Sequence, residues 1–235
     1  MSEVIVKERN GITANTLKWI AIVTMFVDHV GAAVFERGII QSNGEWKQFD
    51  IMLRMIGRVA FPIFCFLLIE GFIHTHSLIK YSLNLLLFCI LSEYPFDLAF
   101  FGELNWKSQN VFFTLFFGLL TIAGVSYFEK KTWKYKKIAF LLVGVLGACI
   151  AQLCHTDYGA LGVILIFILY IARNNRGKQC IAGGICFIYE ITSILSFVLI
   201  YFYNGIRKKG INKYFFYLFY PLHLLFLYGI HLLIS

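Results

Sequence analysis

Charge is what this chain has least of. Only 14% of its 235 residues are Asp, Glu, Lys or Arg, and 59% are hydrophobic. Soluble domains carry about 25% charged residues, so charge has been shed wherever lipid would meet the chain. Cysteine chemistry is missing too. The six cysteines form no CxxC pair and nearly all lie in apolar runs, where Cys behaves as a small hydrophobe. That excludes a zinc site and a disulfide framework, and no metal is expected. The N-terminal stretch MSEVIVKERNGITAN lacks the short apolar core and small-residue cleavage site of a signal peptide. The first apolar segment is therefore expected to stay as an anchor. The net charge of +8 lies mostly in short connecting loops, which points to topology and anionic headgroups rather than nucleic acid.

What is present is a series of apolar runs of bilayer length. Eight spans are read, at 13–35, 51–73, 80–101, 110–127, 136–153, 157–172, 179–203 and 213–234. About 20 apolar residues cross a bilayer as a helix. Runs such as VFFTLFFGLLTIAGV and IAFLLVGVLGACIAQL lack the alternation of barrel strands, and only closed helices or barrels satisfy the backbone in lipid. There is no internal repeat, no low-complexity linker and no room for a soluble domain. The expected fold is an all-α polytopic membrane bundle of about eight transmembrane helices. A short segment, 1–12, precedes a single domain, 13–235.

Loop charge sets the expected orientation. The connection 129–137, with Lys130, Lys131, Lys134, Lys136 and Lys137, reads as cytoplasmic. Counting spans backwards places the N-terminus inside with Lys7 and Arg9, in a bacterial inner membrane; counting forwards places Arg173, Arg176 and Lys178 inside. The same count puts Arg207, Lys208, Lys209 and Lys213 outside, against the bias. Either span seven is not a simple crossing, or that loop has a task that overrides the rule.

Ionisable residues nevertheless recur inside the spans. An Asp at mid-helix costs roughly 2.5–3.5 kcal/mol on insertion scales. Asp28, Arg58, Glu70, Glu93 and Asp97 together would cost about 10–15 kcal/mol against lipid, as much as a whole domain's stability. They are expected to converge on one polar interior site. In span one, Lys18 and His29 are eleven residues apart, which puts them on one helix face about 16 Å from each other. One substrate gripped at the membrane edge by Lys18 would reach His29. Asp28 points about 100° away from its neighbour. In span two, Arg54 and Arg58 lie one turn apart, with fork-shaped donors suited to phosphate, unless they only snorkel to the interface. Pro62 removes a helix donor and frees a carbonyl, and Glu70 lies three turns beyond Arg58.

Span three carries the carboxylate pair Glu93 and Asp97 around Pro95. Two like charges one turn apart leave one protonated, paired or near water. The following Gln109 and Asn110 have amides that either cap the next helix or bind a ligand. The last span places His223 two residues after Pro221, near Tyr220; it is either hydrogen-bonded within the core or part of a site.

The stretches LKWIAIVTMFVDHVG, LRMIGRVAFPIFCFLLIEGFIHT, LSEYPFDLAF, SQNVFFTLFFGLL, DYGALGVILIF and FYPLHLL together resemble the TraX family along nearly the whole chain. More distantly the chain is similar to the polytopic acyl-CoA acyltransferases. The resemblance implies an acetyltransferase using acetyl-CoA or another acyl-CoA. In those relatives an Arg precedes an essential His by eleven positions; Lys18 and His29 match those positions here. The phenylalanine-rich run ending in Ser-Gly-Phe is matched by 64–72 with Glu70 in place of the Ser, and the closing Tyr/His/Pro pattern is echoed by Phe219–His223.

The reading that follows is an acyl-CoA-dependent acyltransferase acting on an amine or hydroxyl acceptor. His29 serves as general base, with Asp28, Glu93 or Asp97 orienting it. Lys18, Arg54, Arg58, Glu70, Gln109, Asn110, Tyr220 and His223 are the candidates for substrate contact. The alternatives are a transporter that uses the same residues as a pathway, or a structural partner of a secretion or conjugation apparatus.

Overall fold

The computed structural model describes residues 11–39, 46–207 and 213–234. Lys7 and Arg9, and with them nearly all of the 1–12 segment, lie outside the described residues, as do Lys208 and Lys209. Among the described residues the fold is all-helical. Helix α1, Ala14–Val30, continues as a π-helical stretch, Gly31–Ile39. Then come α2, Lys47–Gly57; α3, Ala60–Ile73; α4, Leu78–Phe100; α5, Val111–Glu129; and α6, Lys136–Leu153. The chain ends with α7, Gly159–Ile171; α8, Arg176–Cys186; α9, Ile194–Tyr201, entered through a 3-10 turn at Ile191–Ser193; and α10, Lys213–Ile234. Six stretches are long and apolar enough to cross a membrane, and α7 is a shorter apolar helix.

Local sequence explains where the helices start and break. Thr13, Ser77 and Asn110 cap α1, α4 and α5 by accepting from backbone amides with their side chains. The second span breaks at Arg58–Val59, between α2 and α3. Pro62 lies four residues beyond Arg58 and has no N–H to offer its carbonyl, so the ladder fails there. The break turns Arg58 out of the regular helix. Helix α3 then packs against α1, α5, α7 and α9, and its side chains Phe61, Ile63, Cys65, Phe66, Leu68 and Ile69 are buried. A helix buried nearly all round is the axis of a bundle.

Helix α6 shows the reverse pattern. Its buried residues are Ala139, Gly144, Gly147, Ala148 and Ala151, whereas Leu141, Leu142, Val145 and Leu146 face outwards. Lipid is as apolar as leucine, so membrane helices gain by bringing backbones close through small residues. A side chain at Gly147 would meet Thr121 on α5, and one at Gly144 would meet Phe167 on α7.

The seventh span is not a crossing. Helices α8 and α9 fold back on each other around the turn 187–190, and a side chain at Gly183 on α8 would collide with Phe197 on α9. The base of this hairpin is fastened at one end of the bundle. The Arg176 guanidinium lies 4.5 Å from the Phe66 ring and 5.3 Å from that of Tyr203. Tyr203 donates its hydroxyl to Glu70 Oε2 at 3.2 Å, and Arg176 Nη2 lies 3.7 Å from Glu70 Oε1. The chain entering α1 is held at the same end, since Ile12 N donates to the Phe202 carbonyl and Asn204 N to that of Ile12. Eleven residues of α8 span about 16 Å, half a bilayer core.

This hairpin removes the conflict in loop charge. Glu129 and Arg173 pair at 2.7 Å, joining the ends of α5 and α7. Together with 74–80, 173–178 and Arg207 they form one basic end. The opposite end holds the 101–110 and 154–158 connections, which touch through Gln109 and Thr156.

Candidate functional site

Among the described residues, two cavities in the bundle matter for the site. The far cavity, about 540 Å³, is nearer the 101–110 and 154–158 connections. It is lined by Asp28 and His29 of α1, Arg54 and Arg58 beside the α2–α3 break, Asp157 and Tyr158 before α7, and Tyr189 and Glu190 at the hairpin tip. The basic cavity, about 490 Å³, opens towards the other end and is lined by Lys18, His74, His76, Lys80, Arg207 and several aromatics. Met25, Phe64, Val111 and Tyr220 line both, so these side chains form a wall that the two cavities share. Lys18 and His29 project from one helix into the two different cavities.

In the far cavity the arginines are paired. Arg54 Nη1 donates to Asp28 Oδ2 at 2.5 Å and lies 3.3 Å from the Asp28 carbonyl. Arg58 Nη1 donates to Glu190 Oε1 at 3.1 Å. Glycine at 57 makes this geometry available, because a Cβ there would run into the Asp28 side chain. Arg37 donates to the carbonyls of Leu98 and Ala99 at 2.6 and 3.0 Å, satisfying the open end of α4. Tyr158 stacks on Phe61 with ring centroids 3.5 Å apart, and both pack against Phe187 of the hairpin turn. One oxygen of Asp28 and one of Glu190 are buried without a hydrogen-bond partner. Unpaired buried acceptors are costly in a fold, and that of Asp28 lies against Gly57.

His29 has a partner from the other end of the chain. Its Nδ1 lies 2.6 Å from Nε2 of His223, and His223 Nδ1 donates to the Phe219 carbonyl at 2.7 Å. The two imidazoles are within 4° of parallel. Phe100 and Tyr220 stand edge-on to His29, with ring centroids 5.3 and 5.8 Å away. His29 lines the far cavity, and His223 is buried behind it.

The structure separates residues that the sequence reading grouped together. Asp28 bonds Arg54 and not its neighbour His29. Glu93 Oε2 accepts from the backbone and side-chain nitrogens of Asn110 at 3.1 and 2.5 Å, and Asp97 Oδ2 accepts from Asn105 N at 2.9 Å. Neither carboxylate lines the His29 cavity, so the expectation that one of them orients His29 is corrected: they hold the 101–110 connection. Asn110 caps α5 and also donates to the Cys89 carbonyl, while the Gln109 side chain donates to the Trp106 carbonyl. Glu70 fastens the hairpin base and lines neither cavity. Arg54 and Arg58 stand with His29, at the opposite end from Lys18. Tyr220 lies in the wall that the cavities share, and His223 is the ring behind His29. Glu190, Asp157 and Tyr158 were not singled out from sequence. Glu190 and Asp157 carry the signal that marked Asp28, an ionisable group in or beside an apolar run.

A family model described as TraX protein matches residues 13–231. The chain is also 30% identical over 244 residues to the probable fimbrial assembly protein FimC, serogroup H1, of Dichelobacter nodosus, covering 90% of this chain and 93% of that protein. No solved structure matches it at a significant level. The match spans both cavities, the hairpin and the paired histidines: this membrane protein belongs to the TraX family.

Proposed function

We propose that the protein is a membrane-embedded acetyltransferase that receives acetyl-CoA at its basic end and transfers the acetyl group to an acceptor in the far cavity. The observation that carries this reading is the pair of adjoining cavities that share Met25, Phe64, Val111 and Tyr220, with Lys18 in one and His29 in the other. The basic cavity suits a phosphorylated carrier. Lys18, Lys80 and Arg207 supply charge, and its lining has no carboxylate among the described residues. A narrow thioester arm that slips between these four shared side chains would bring its acyl group to His29. By the positive-inside rule the basic end faces the cytoplasm of a bacterial inner membrane, where acyl-CoA is available.

His29 is the general base. It takes the proton from the acceptor amine or hydroxyl as that atom attacks the thioester carbon. The C–S bond then breaks, and the proton returns to the departing thiolate. A positioned base of this kind contributes about 10²–10⁴-fold. Arg58, held beside the cavity, is placed to favour negative charge developing on the carbonyl oxygen. Asp28, Glu36, Asp157 and Glu190 give the far cavity four carboxylates, which favours an amine acceptor. The similarity to a fimbrial assembly protein supports a subunit of a surface appendage as the source of that amine.

Membranes containing the protein, given labelled acetyl-CoA, are expected to form an acetylated product that mass spectrometry identifies by comparing cells with and without the gene. His29→Ala at equal expression abolishes it. Full transfer by His29→Ala, or solute flux into proteoliposomes without acetyl-CoA consumption, would sink the proposal.

A further inference from the structure

We infer that His223 is a positioning residue that fixes the tautomer of His29 and leaves His29 Nε2 as the free base; the inference rests on the acyl transfer proposed above. The chain of bonds starts at an atom that can only accept. The Phe219 carbonyl has no proton, so His223 Nδ1, 2.7 Å away, must be the donor. A neutral imidazole carries one proton, so His223 Nε2 is then an acceptor. His29 Nδ1, 2.6 Å from it, must donate. The remaining nitrogen of His29, Nε2, is left with its lone pair. One carbonyl at the far end of the chain thus dictates which nitrogen of His29 is basic, as the bond made by one ring nitrogen of a histidine generally does.

The surroundings preserve this order. His29 lines the far cavity and His223 does not. Phe26 and Phe219 flank His223, with ring centroids 6.0 and 4.8 Å away, and the carboxylates Asp28, Glu93 and Asp97 are bonded elsewhere. When His29 Nε2 takes the acceptor's proton, its Nδ1–H still points at His223 Nε2. The positive charge is shared across that bond, and the same proton leaves from Nε2 to the thiolate. No atom is gained or lost by the pair over a turnover. His223 takes the place an aspartate occupies in a serine protease triad, but as a neutral group. A carboxylate is therefore not needed beside His29.

Two readouts on full-length protein in proteoliposomes test this, one of them independent of acyl transfer. The first is the rate at which diethyl pyrocarbonate modifies His29, followed on its peptide by mass spectrometry, since that reagent needs an unprotonated imidazole nitrogen. The second is kcat with acetyl-CoA and a synthetic peptide bearing a free α-amine. His223→Phe keeps a flat ring but removes the acceptor; His223→Gln keeps an acceptor oxygen. The Phe variant is expected to slow His29 modification severalfold and to lower kcat by roughly 100-fold or more, with KM for acetyl-CoA unchanged. The Gln variant recovers most of the modification rate and part of kcat. Equal modification rates in wild type and both variants overturn the inference, as does a Gln variant no better than Phe. If modification follows the expected order while no variant and no wild type transfers acetyl, His223 still sets the tautomer and the acyltransferase reading fails instead.

Discussion

Arg58 Nη1 and Glu190 Oε1 stand 3.1 Å apart, one beside the break between α2 and α3, the other at the tip of a hairpin rooted at the opposite end of the bundle. The pair brings a carboxylate into the His29 cavity from a segment that does not cross the membrane. Removing one partner leaves the other uncompensated in a partly buried place. Glu190→Ala is expected to lower acetyl transfer by at least about tenfold and to lower the melting temperature in detergent. Exchanging the charges, Arg58→Glu with Glu190→Arg, restores the melting temperature and not the transfer. Recovery of both would reduce the pair to a structural tie.

At Gly57, α2 packs directly on the Asp28 side chain of α1. Any side chain there meets Asp28. Gly57→Ala should cost about 1–3 kcal/mol, the usual range for overpacking, and Gly57→Leu more. Both should lose activity beyond what their stability predicts, because Asp28 can no longer hold Arg54. A thermal melt alongside a transfer assay separates the two effects, and a fully active, fully stable Gly57→Leu would contradict the close contact.

The basic cavity makes a claim about the donor rather than the chemistry. Lys18→Ala, Lys80→Ala and Arg207→Ala are each expected to raise KM for acetyl-CoA about tenfold, equivalent to about 1.4 kcal/mol, while kcat moves little. Lys18→Arg retains the charge and should stay near wild type. A fall in kcat with KM constant would place Lys18 in the reaction instead.

The hairpin can be tested by labelling. In a background without native cysteines, Thr132→Cys and Asn204→Cys are expected to react with an impermeant maleimide from the same side of the membrane. Labelling from opposite sides would make residues 176–203 a true crossing.

Much of this arrangement was legible in the chain, and the failures have physical causes. The absence of charge announced the bundle, and Lys18 and His29 at eleven residues announced one helix serving two depths. Loop charge even flagged the seventh span, since Arg207 fell on the wrong side of a simple count. What the count lacked was a reason to fold 176–203 back, and that lies in tertiary packing: Gly183 admits Phe197, and Tyr203 reaches Glu70. Glu93 and Asp97 looked catalytic because helix spacing says only that they share a face, not which element covers it. The covering element is the 101–110 connection, whose amides they bind. His223 was the reverse case. A partner 194 residues away leaves no mark in local sequence.

A segment that enters and leaves at one end changes the parity of the whole chain. With 176–203 folded back, six long apolar stretches and the shorter α7 remain among the described residues, so α1 begins and α10 finishes at opposite ends of the bundle. A reporter fused after α10 is therefore expected to emerge on the side of the His29 cavity. One fused ahead of α1 is expected on the opposite side, with the basic end.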